Sequence, residues 1–531
     1  MEFDFIIVGA GSSGCALAHR LATYRPKDSI LLIEAGGLDI SPFIHVPAAI
    51  IKAIGNPSLD WMHIAEPDIT RNNKKDLWPA GKVLGGSSAI NGMLYVRGSR
   101  HDYDDWSNLG CYGWSYEDVL PVFKRLEHTS IGDKKIRGRS GLVHINWLRT
   151  THPLAHSFVR ASQENELPFN DDYNGEEQSG VAYSQVTQSR GWRYHTARAY
   201  LWPGKKPSNI QIKTKSFVTK LLFEGKQCIG LKFIKSGKEF IAKSRRETIL
   251  SAGTLGSPKI LMLSGIGPEK NLKSLGIPII NNIKAVGKNL QDHPEVMLSI
   301  EVNKSTYNTE INSSKIIIHA MNWLLFGRGP ATSPYPHAIA FLSSSSQNKH
   351  PDIQIQLGPY AFSFDENGVI PYSKPAISAA VNISYPKSRG EVNLRSINHL
   401  DSPVINHNMF SHPDDMKKLI IACKKVRKIL NHSHLNEYRV AEYLPGSNIQ
   451  TDDEWSDYLR NNAFLGYHPV GTCRMGIDNN TVVTPNLKVR NFNGLRIADA
   501  SIIPQIISGN TNATAIMIGE KAADLILDDW S

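Results

Sequence analysis

The first thirty-four residues constrain this chain most. They include Phe3-Asp-Phe-Ile-Ile-Val-Gly-Ala-Gly-Ser-Ser-Gly14 and, further on, Leu31-Leu-Ile-Glu34. An apolar strand runs into a glycine-rich turn, a helix follows, and a second apolar strand ends on a carboxylate. Gly9, Gly11 and Gly14 take the three glycine positions of a dinucleotide-binding fingerprint, and Glu34 takes its acidic position. In that geometry Gly9 permits the tight turn, Gly11 lets the backbone approach a pyrophosphate, and Gly14 lets helix and strand pack closely. The helix N-terminus turns unpaired N–H groups and partial positive charge toward the phosphates. Glu34 would accept hydrogen bonds from ribose hydroxyls. The pattern indicates a dinucleotide and redox chemistry; by itself it does not separate NAD from FAD.

A chain of 531 residues is longer than one such unit needs, so two or more structural units are expected. Charged residues are 20% and hydrophobic residues 41%, the balance of a globular chain. No apolar run approaches the roughly 20 residues of a bilayer-spanning helix. The first strand begins almost at once, with no basic stretch and apolar run ahead of it. No signal peptide is read, and a cytoplasmic location is expected. Five cysteines (Cys15, Cys111, Cys228, Cys423, Cys473) are scattered without a CxxC pair. That argues against a disulfide framework or a zinc site, and no metal is expected. The net charge of +10 is dispersed, with short clusters such as Lys205-Lys206 and Lys424-Lys425. It suits solubility, or peripheral contact with an anionic surface at the inner face of the cell membrane. No nucleic-acid-binding module accompanies it, so nucleic acid is not expected as a partner.

After the opening unit, residues 78–97 are rich in glycine and serine and read as a loop leading into a helix. Residues 213–223 alternate in part, as a strand does. Residues 247–253 form an apolar strand ending in a turn, and 257–263 a short helix. Residues 301–458 mix strands with proline-rich turns and an amphipathic helix at 416–430. The end returns to a strand at 495–498, a loop, and a helix at 513–527. Strand and helix patterns at both ends predict a nucleotide domain assembled from separated segments, with a second domain inserted.

Further segments occur in order along the chain: Gly81-Lys-Val-Leu-Gly-Gly-Ser-Ser-Ala-Ile-Asn91, Gly253-Thr-Leu-Gly-Ser-Pro-Lys-Ile-Leu-Met-Leu-Ser-Gly-Ile-Gly267, Val286-Gly-Lys-Asn-Leu-Gln-Asp-His293, Tyr467-His-Pro-Val-Gly-Thr-Cys-Arg-Met-Gly476, Ala498-Asp-Ala-Ser501 and Gly509-Asn-Thr-Asn512. Together they resemble the glucose–methanol–choline (GMC) oxidoreductases, a family of FAD enzymes, and most of all its choline-dehydrogenase and aliphatic-alcohol-dehydrogenase branch. The resemblance selects FAD. It implies an α/β fold, α+β overall, with a Rossmann-like FAD-binding domain from residues 1–155, 206–300 and 461–531. Residues 156–205 and 301–460 would form a substrate domain with an antiparallel sheet. Cofactor contacts are implied from Gly9, Gly11, Ser12, Ser13, Gly14, Glu34 and Ala35. Gly81, Val83, Gly85, Gly86, Ser87, Asn91 and Gly92 would add to them, with the Val218 backbone at the adenine and Asp499 and Ala500 at the pyrophosphate and flavin side. Relatives that bind FAD covalently use a His where this chain has Ile90. An aliphatic side chain cannot form that bond, so non-covalent FAD is expected.

Oxidising a primary alcohol to an aldehyde removes a hydroxyl proton and a hydride. Histidine suits the first task, and flavin N5 accepts the second. His468 matches the family's active-site histidine and Asn512 its partner. The resemblance thus implies His468 as base and Asn512 as the donor that orients the alcohol and its developing alkoxide. Cys473 reads as packing and His293 as support for the fold. Ser87 and Ser88 lack a Gly-x-Ser-x-Gly elbow, which argues against hydrolysis. Trp61 matches a position that is aromatic in choline-oxidising relatives, where a ring holds the ammonium. His337 falls where those relatives carry a Glu, and a protonated imidazole there would repel a cation. That shifts the expected substrate from choline toward a neutral primary alcohol. A quinone-like electron acceptor is expected. Choline dehydrogenase, an oxygen-using alcohol oxidase and a hydroxynitrile lyase of the same family are the alternatives, and the oligomeric state is left open.

Overall fold

The computed structural model describes residues 1–202, 204, 206–310, 314–365 and 368–530, with backbone alone at 364, 365, 368 and 369. Two seven-stranded sheets organise them.

The first sheet grows from the opening fingerprint. Strands Glu2–Val8 and Ile30–Ile33 pair in parallel, and Ile210–Lys213 extends the sheet in parallel beyond them. On the other side of Glu2–Val8 lies Lys238–Leu250, whose end pairs in parallel with Leu495–Ile497. Parallel strands covered on both faces have no solvent side, so Ile30–Ile33 is apolar and buried throughout. Lys238–Leu250 combines two regimes. Its first part runs with many exposed residues in an antiparallel ladder with Gln227–Lys235, which pairs in turn with Ser216–Glu224. Its last four residues are all buried in the parallel centre. Arg496, 1% exposed, grips both Glu247 oxygens at 2.6 and 2.9 Å. This two-pronged ion pair ties the late-arriving strand Leu495–Ile497 to the centre.

Residues 213–223 are not one strand. Lys215 adopts a φ of 52°, and the chain divides into Ile210–Lys213 and Ser216–Glu224, which pair with different neighbours. The helix expected at 257–263 starts earlier, as Gly253–Leu263. The one expected at 416–430 runs Pro413–Leu430, with proline at its start, Asp414 and Asp415 in its first turn, and Arg427 and Lys428 in its last. Those charges complement the helix dipole.

The second sheet is antiparallel. Its order is Arg439–Leu444, Pro294–Val302, Ala376–Ile383, Ile353–Gly358, Ala338–Leu342 and Gly180–Tyr183, with Phe464–Leu465 against the start of Pro294–Val302. One face contributes Val296, Leu298, Ile355 and Val381 to an apolar cluster with Leu419, Cys423 and Val426 of helix Pro413–Leu430. The period of two then sends Glu295, Met297, Gln354, Gln356, Ala380 and Asn382 to the opposite face. Register places Glu295, Asn382 and Gln354 in one cross-strand row, and Met297, Ala380 and Gln356 in another. This polar-bearing face is also buried, because it looks onto a cavity and not onto solvent.

Helices Ser12–Tyr24 and Asn512–Asp529 pack together so tightly that a Cβ on Gly519 would lie 2.2 Å from the Ser13 carbonyl oxygen. All five cysteines are buried free thiols, in keeping with a packing role for Cys473. No helix among the described residues is long and apolar enough to cross a membrane.

Candidate active site

A cavity of about 480 Å³ is walled by both sheets. Its nucleotide end meets the carboxyl ends of the parallel strands at Val8, Ile33, Ser251 and Asp499, where open α/β sheets bind ligands. Gly9 has a φ of 100°, and a Cβ there would sit 2.3 Å from the Ser251 oxygen, so only glycine makes this turn. A Cβ on Gly86 would come 2.6 Å from the Gly11 Cα, so two bare backbones meet at the cavity wall. Helices Ser12–Tyr24 and Asn512–Asp529 both begin without a capping side chain and without an acidic residue in the first turn. Ser12, Ser13, Asn512 and Ala515 line the cavity. Two uncapped helix ends thus turn N–H groups and positive partial charge into one space, as a pyrophosphate and an electron-accepting ring require.

Glu34 accepts from the backbone N–H groups of Ala10 at 2.9 Å and Gly36 at 2.8 Å. Burial pushes its carboxyl up to about 7, against the pull of those bonds. It lines the cavity and keeps lone pairs for ribose hydroxyls. Asp499 works through the backbone: it accepts from Gly253 N at 2.9 Å, Ser257 Oγ at 2.5 Å and Ser501 N at 2.8 Å. Ala35, Gly81, Ser87, Asn91, Gly92, Val218 and Ala500 also line the cavity. Gly14, Val83 and Gly85 stand behind its wall. A Cβ on Gly14 would lie 1.9 Å from the Gly9 oxygen, Val83 is packed with Ile44 and Ile90, and the Gly85 carbonyl accepts from Ser88 Oγ at 2.6 Å. Ile90 reaches the cavity and carries no nucleophilic atom. These residues fit FAD held without a covalent bond.

The far end holds a continuous hydrogen-bond chain, and its directions can be worked out. His293 Nε2 lies 3.1 Å from Ser384 O and 3.0 Å from Ile507 O. Carbonyls only accept, so Nε2 carries the proton and His293 Nδ1 is an acceptor. His468 Nδ1, 3.1 Å away, therefore donates to it. That leaves a lone pair on His468 Nε2, and Asn510 Nδ2 donates to it at 2.8 Å. Asn510 Oδ1 accepts from Gln354 Nε2 at 3.0 Å, and Gln354 Oε1 accepts from Asn382 Nδ2 at 3.2 Å. Asn382 also donates to Glu295 Oε2 at 2.9 Å. The cross-strand row of the second sheet thus runs from a carboxylate to a base. Asp292 Oδ1 accepts from the His468 backbone N–H at 2.9 Å and fixes the loop, while Tyr467 takes a φ of 60° beside it. Burial, then the neighbouring His293, holds the His468 imidazole well below its usual range, so it is neutral, with its lone pair on Nε2.

Two substrate-end expectations are corrected here. The resemblance points to Asn512 as the partner of His468, but the structure brings Asn510 to it. Asn512 opens the final helix, and its Oδ1 accepts from Ser12 Oγ at 2.7 Å, which places it with the nucleotide-binding turn. His337 does not reach the cavity. It is fully buried, accepts from the His152 backbone N–H at 3.0 Å and packs on Tyr307. A different carboxylate, Glu295, lines the cavity with Met297, Tyr335, Tyr360, Phe464 and Tyr467. Burial pushes the Glu295 carboxyl up to about 7, against the Asn382 hydrogen bond. Trp61 also lines the cavity, but its ring meets Lys82 (Nζ 5.1 Å from the centroid), His63 and Phe217.

Residues 3–295 and 386–519 match the N- and C-terminal profiles of GMC oxidoreductase. The chain is 40% identical over 540 residues to an oxygen-dependent choline dehydrogenase of Sinorhizobium fredii, covering 99% of this chain and 96% of that protein. One from Brucella suis biovar 1 is 40% identical over 531 residues with the same coverage. Among solved structures, pyridoxine 4-oxidase from Mesorbium loti superposes with a TM-score of 0.90 at 28% identity, covering 99% of each chain. A formate oxidase gives 0.91 at 25% identity, covering 99% of this chain and 98% of that one. The chain belongs to the GMC oxidoreductase family. It is an FAD-dependent oxidoreductase that acts on the CH–OH group of an alcohol.

Proposed function

We propose that this enzyme oxidises a primary alcohol bearing a quaternary ammonium, of the choline type, to its aldehyde, and passes the electrons to a quinone-like acceptor. One observation carries the substrate class. Glu295 is a buried carboxylate in the cavity wall, and no cationic side chain pairs with it among the described residues. A buried charge without a counter-charge is costly, and a ligand cation supplies one. Phe464 is the cross-strand neighbour of Glu295, and Tyr335 and Tyr467 line the same wall, offering ring faces to the methyl groups. The choline dehydrogenases among its relatives support the same reading.

With the ammonium beside Glu295, the hydroxyl points along the polar row toward His468. The hydroxyl displaces the Asn510 N–H from the single lone pair of His468 Nε2, which takes its proton, while Nδ1–H stays on His293, so the ring keeps its orientation as it becomes charged. The Asn510 amide N–H so freed donates to the developing alkoxide. Bound FAD supplies the acceptor for the hydride. The N-terminal end of helix Asn512–Asp529 favours negative charge at that wall.

The test is anaerobic mixing of the holoenzyme with choline and with 3,3-dimethylbutan-1-ol, its neutral isostere, followed by loss of flavin absorbance. Choline is expected to give the larger kcat/KM; preference for the neutral alcohol would reject the cation reading. The relatives' description as oxygen-dependent favours a second reading of the acceptor. Admitting oxygen or a soluble quinone to the reduced enzyme separates the two.

A further inference from the structure

A quinone-like acceptor is a lipid-soluble partner, and the substrate domain carries a surface fit for a membrane. Helix Lys315–Phe326 has no buried residue. Ile316, Ile317 and Ile318, and then Leu324, Leu325 and Phe326, are each between 50% and 65% exposed. A surface helix ordinarily turns its apolar stripe to its own core and its charges outward. This one presents aliphatic side chains to the outside and contains no acidic residue. At about 18 Å it is too short to cross a bilayer. It is fastened from beneath: Trp323 Nε1 donates to Gly191 O at 2.8 Å, and its ring lies 4.2 Å from that of Trp192. The Glu310 carboxylate near its start is engaged by His319 at 2.9 Å and Lys315 at 3.6 Å.

At the other end of the helix a second pocket is lined by Arg149, Asn322, Phe326, Arg328 and Gly329. Arg149 Nε donates to Gly327 O at 2.6 Å, which holds its guanidinium at the helix end. Both arginines are exposed, and no carboxylate lines the pocket. We infer that helix Lys315–Phe326 lies in the headgroup region of an anionic bilayer, with Arg149 and Arg328 on a lipid phosphate. An apolar crest with guanidiniums at its foot matches an interfacial helix on a negatively charged leaflet. The net charge of +10 opposes a second copy in that place. The docked face adjoins the active site. Turn Pro330–Thr332 packs on the helix and on turn Pro47–Ala49, which leads directly to Ile50, Ile51 and Ile54 in the cavity wall. An acceptor dissolved in lipid would therefore arrive beside that wall, a consequence that rests on the quinone reading of the acceptor.

The test is co-sedimentation of the holoenzyme with vesicles of phosphatidylcholine alone and of phosphatidylcholine with phosphatidylglycerol. The wild type is expected to bind the anionic vesicles about tenfold or more tightly than the neutral ones, and less tightly as salt rises. The double variant Leu324→Glu, Leu325→Glu should lose at least about tenfold of that binding, and Arg328→Glu should remove the preference for anionic lipid. Both variants should reduce their flavin with alcohol in solution at the wild-type rate, which separates failure of docking from failure of the enzymatic reading. Equal binding to both vesicles, or unchanged binding by the double variant, would overturn the inference. So would self-association of the wild type in light scattering that the double variant abolishes, because the helix would then be covered by a second copy.

Discussion

Replacing Glu295 by Gln tests the substrate reading most directly, because glutamine keeps an acceptor for Asn382 and changes little but the charge. Two unit charges about 4 Å apart attract by about 4 kcal/mol at the effective dielectric of ~20 that suits protein sites. The carboxyl titrates at about 7, and half-protonation at neutral pH removes about 0.4 kcal/mol of this. Stripping water from the cation offsets more, leaving about 2–3 kcal/mol, or roughly 30- to 150-fold in kcat/KM. Anaerobic stopped-flow measurement of flavin reduction should show that loss for choline and less than about threefold for 3,3-dimethylbutan-1-ol, which has the shape and lacks the charge. The same carboxyl sets a pH dependence. Glu295 is charged above its raised value and neutral below it. Choline kcat/KM should therefore fall about tenfold per pH unit below neutrality. The neutral alcohol should hold its rate to lower pH, because protonation of His468 is displaced well below the ordinary imidazole range. Equal losses for both alcohols in the variant, or coincident acid limbs in the wild type, would refute the assignment of Glu295 to the ammonium.

His468→Ala should retain FAD, since no cofactor-cradling glycine touches that ring, and should slow reduction by roughly 10²-fold or more in single-turnover mixing. Asn510→Ala should slow reduction by about 10²-fold with near-normal FAD content. Asn512→Ala frees Ser12 Oγ at the nucleotide turn, so its main effect should be faster loss of FAD on gel filtration. The reverse pattern for the two asparagines would restore the Asn512 assignment. Gly86→Ala places a methyl 2.6 Å from the Gly11 Cα, and that protein should be isolated with little or no yellow colour.

The nucleotide end was readable because its chemistry is backbone chemistry at fixed spacing. A turn that only glycine can make, at Gly9, and a carboxylate at the end of the next strand, at Glu34, leave a mark in any sequence that builds them. The alcohol end was harder because its residues are defined by direction. Asn510 and Asn512 stand two positions apart, and the helix boundary between them decides which way each side chain points. Asn512 opens the helix and turns back toward Ser12; Asn510, in the preceding loop, reaches His468. Glu295 had a signal that a period-of-two count exposes. Val296, Leu298 and Ile300 mark the core face of Pro294–Val302, so a charged residue at 295 stands on a second face that is buried as well. The resemblance points instead to residue 337, one place before strand Ala338–Leu342, where burial among His152 and Tyr307 takes the ring away from the cavity.

The contact between Ser13 and Gly519 joins two helices that are far apart in the sequence at one backbone crossing. During synthesis the N-terminal half of the cofactor cradle emerges well before the wall at residues 510–519 that completes it. A nascent chain still short of Asn510 has neither the second helix end nor the base's partner. Capture of the flavin thus waits for that segment, and nascent chains halted before it should emerge colourless even when FAD is plentiful.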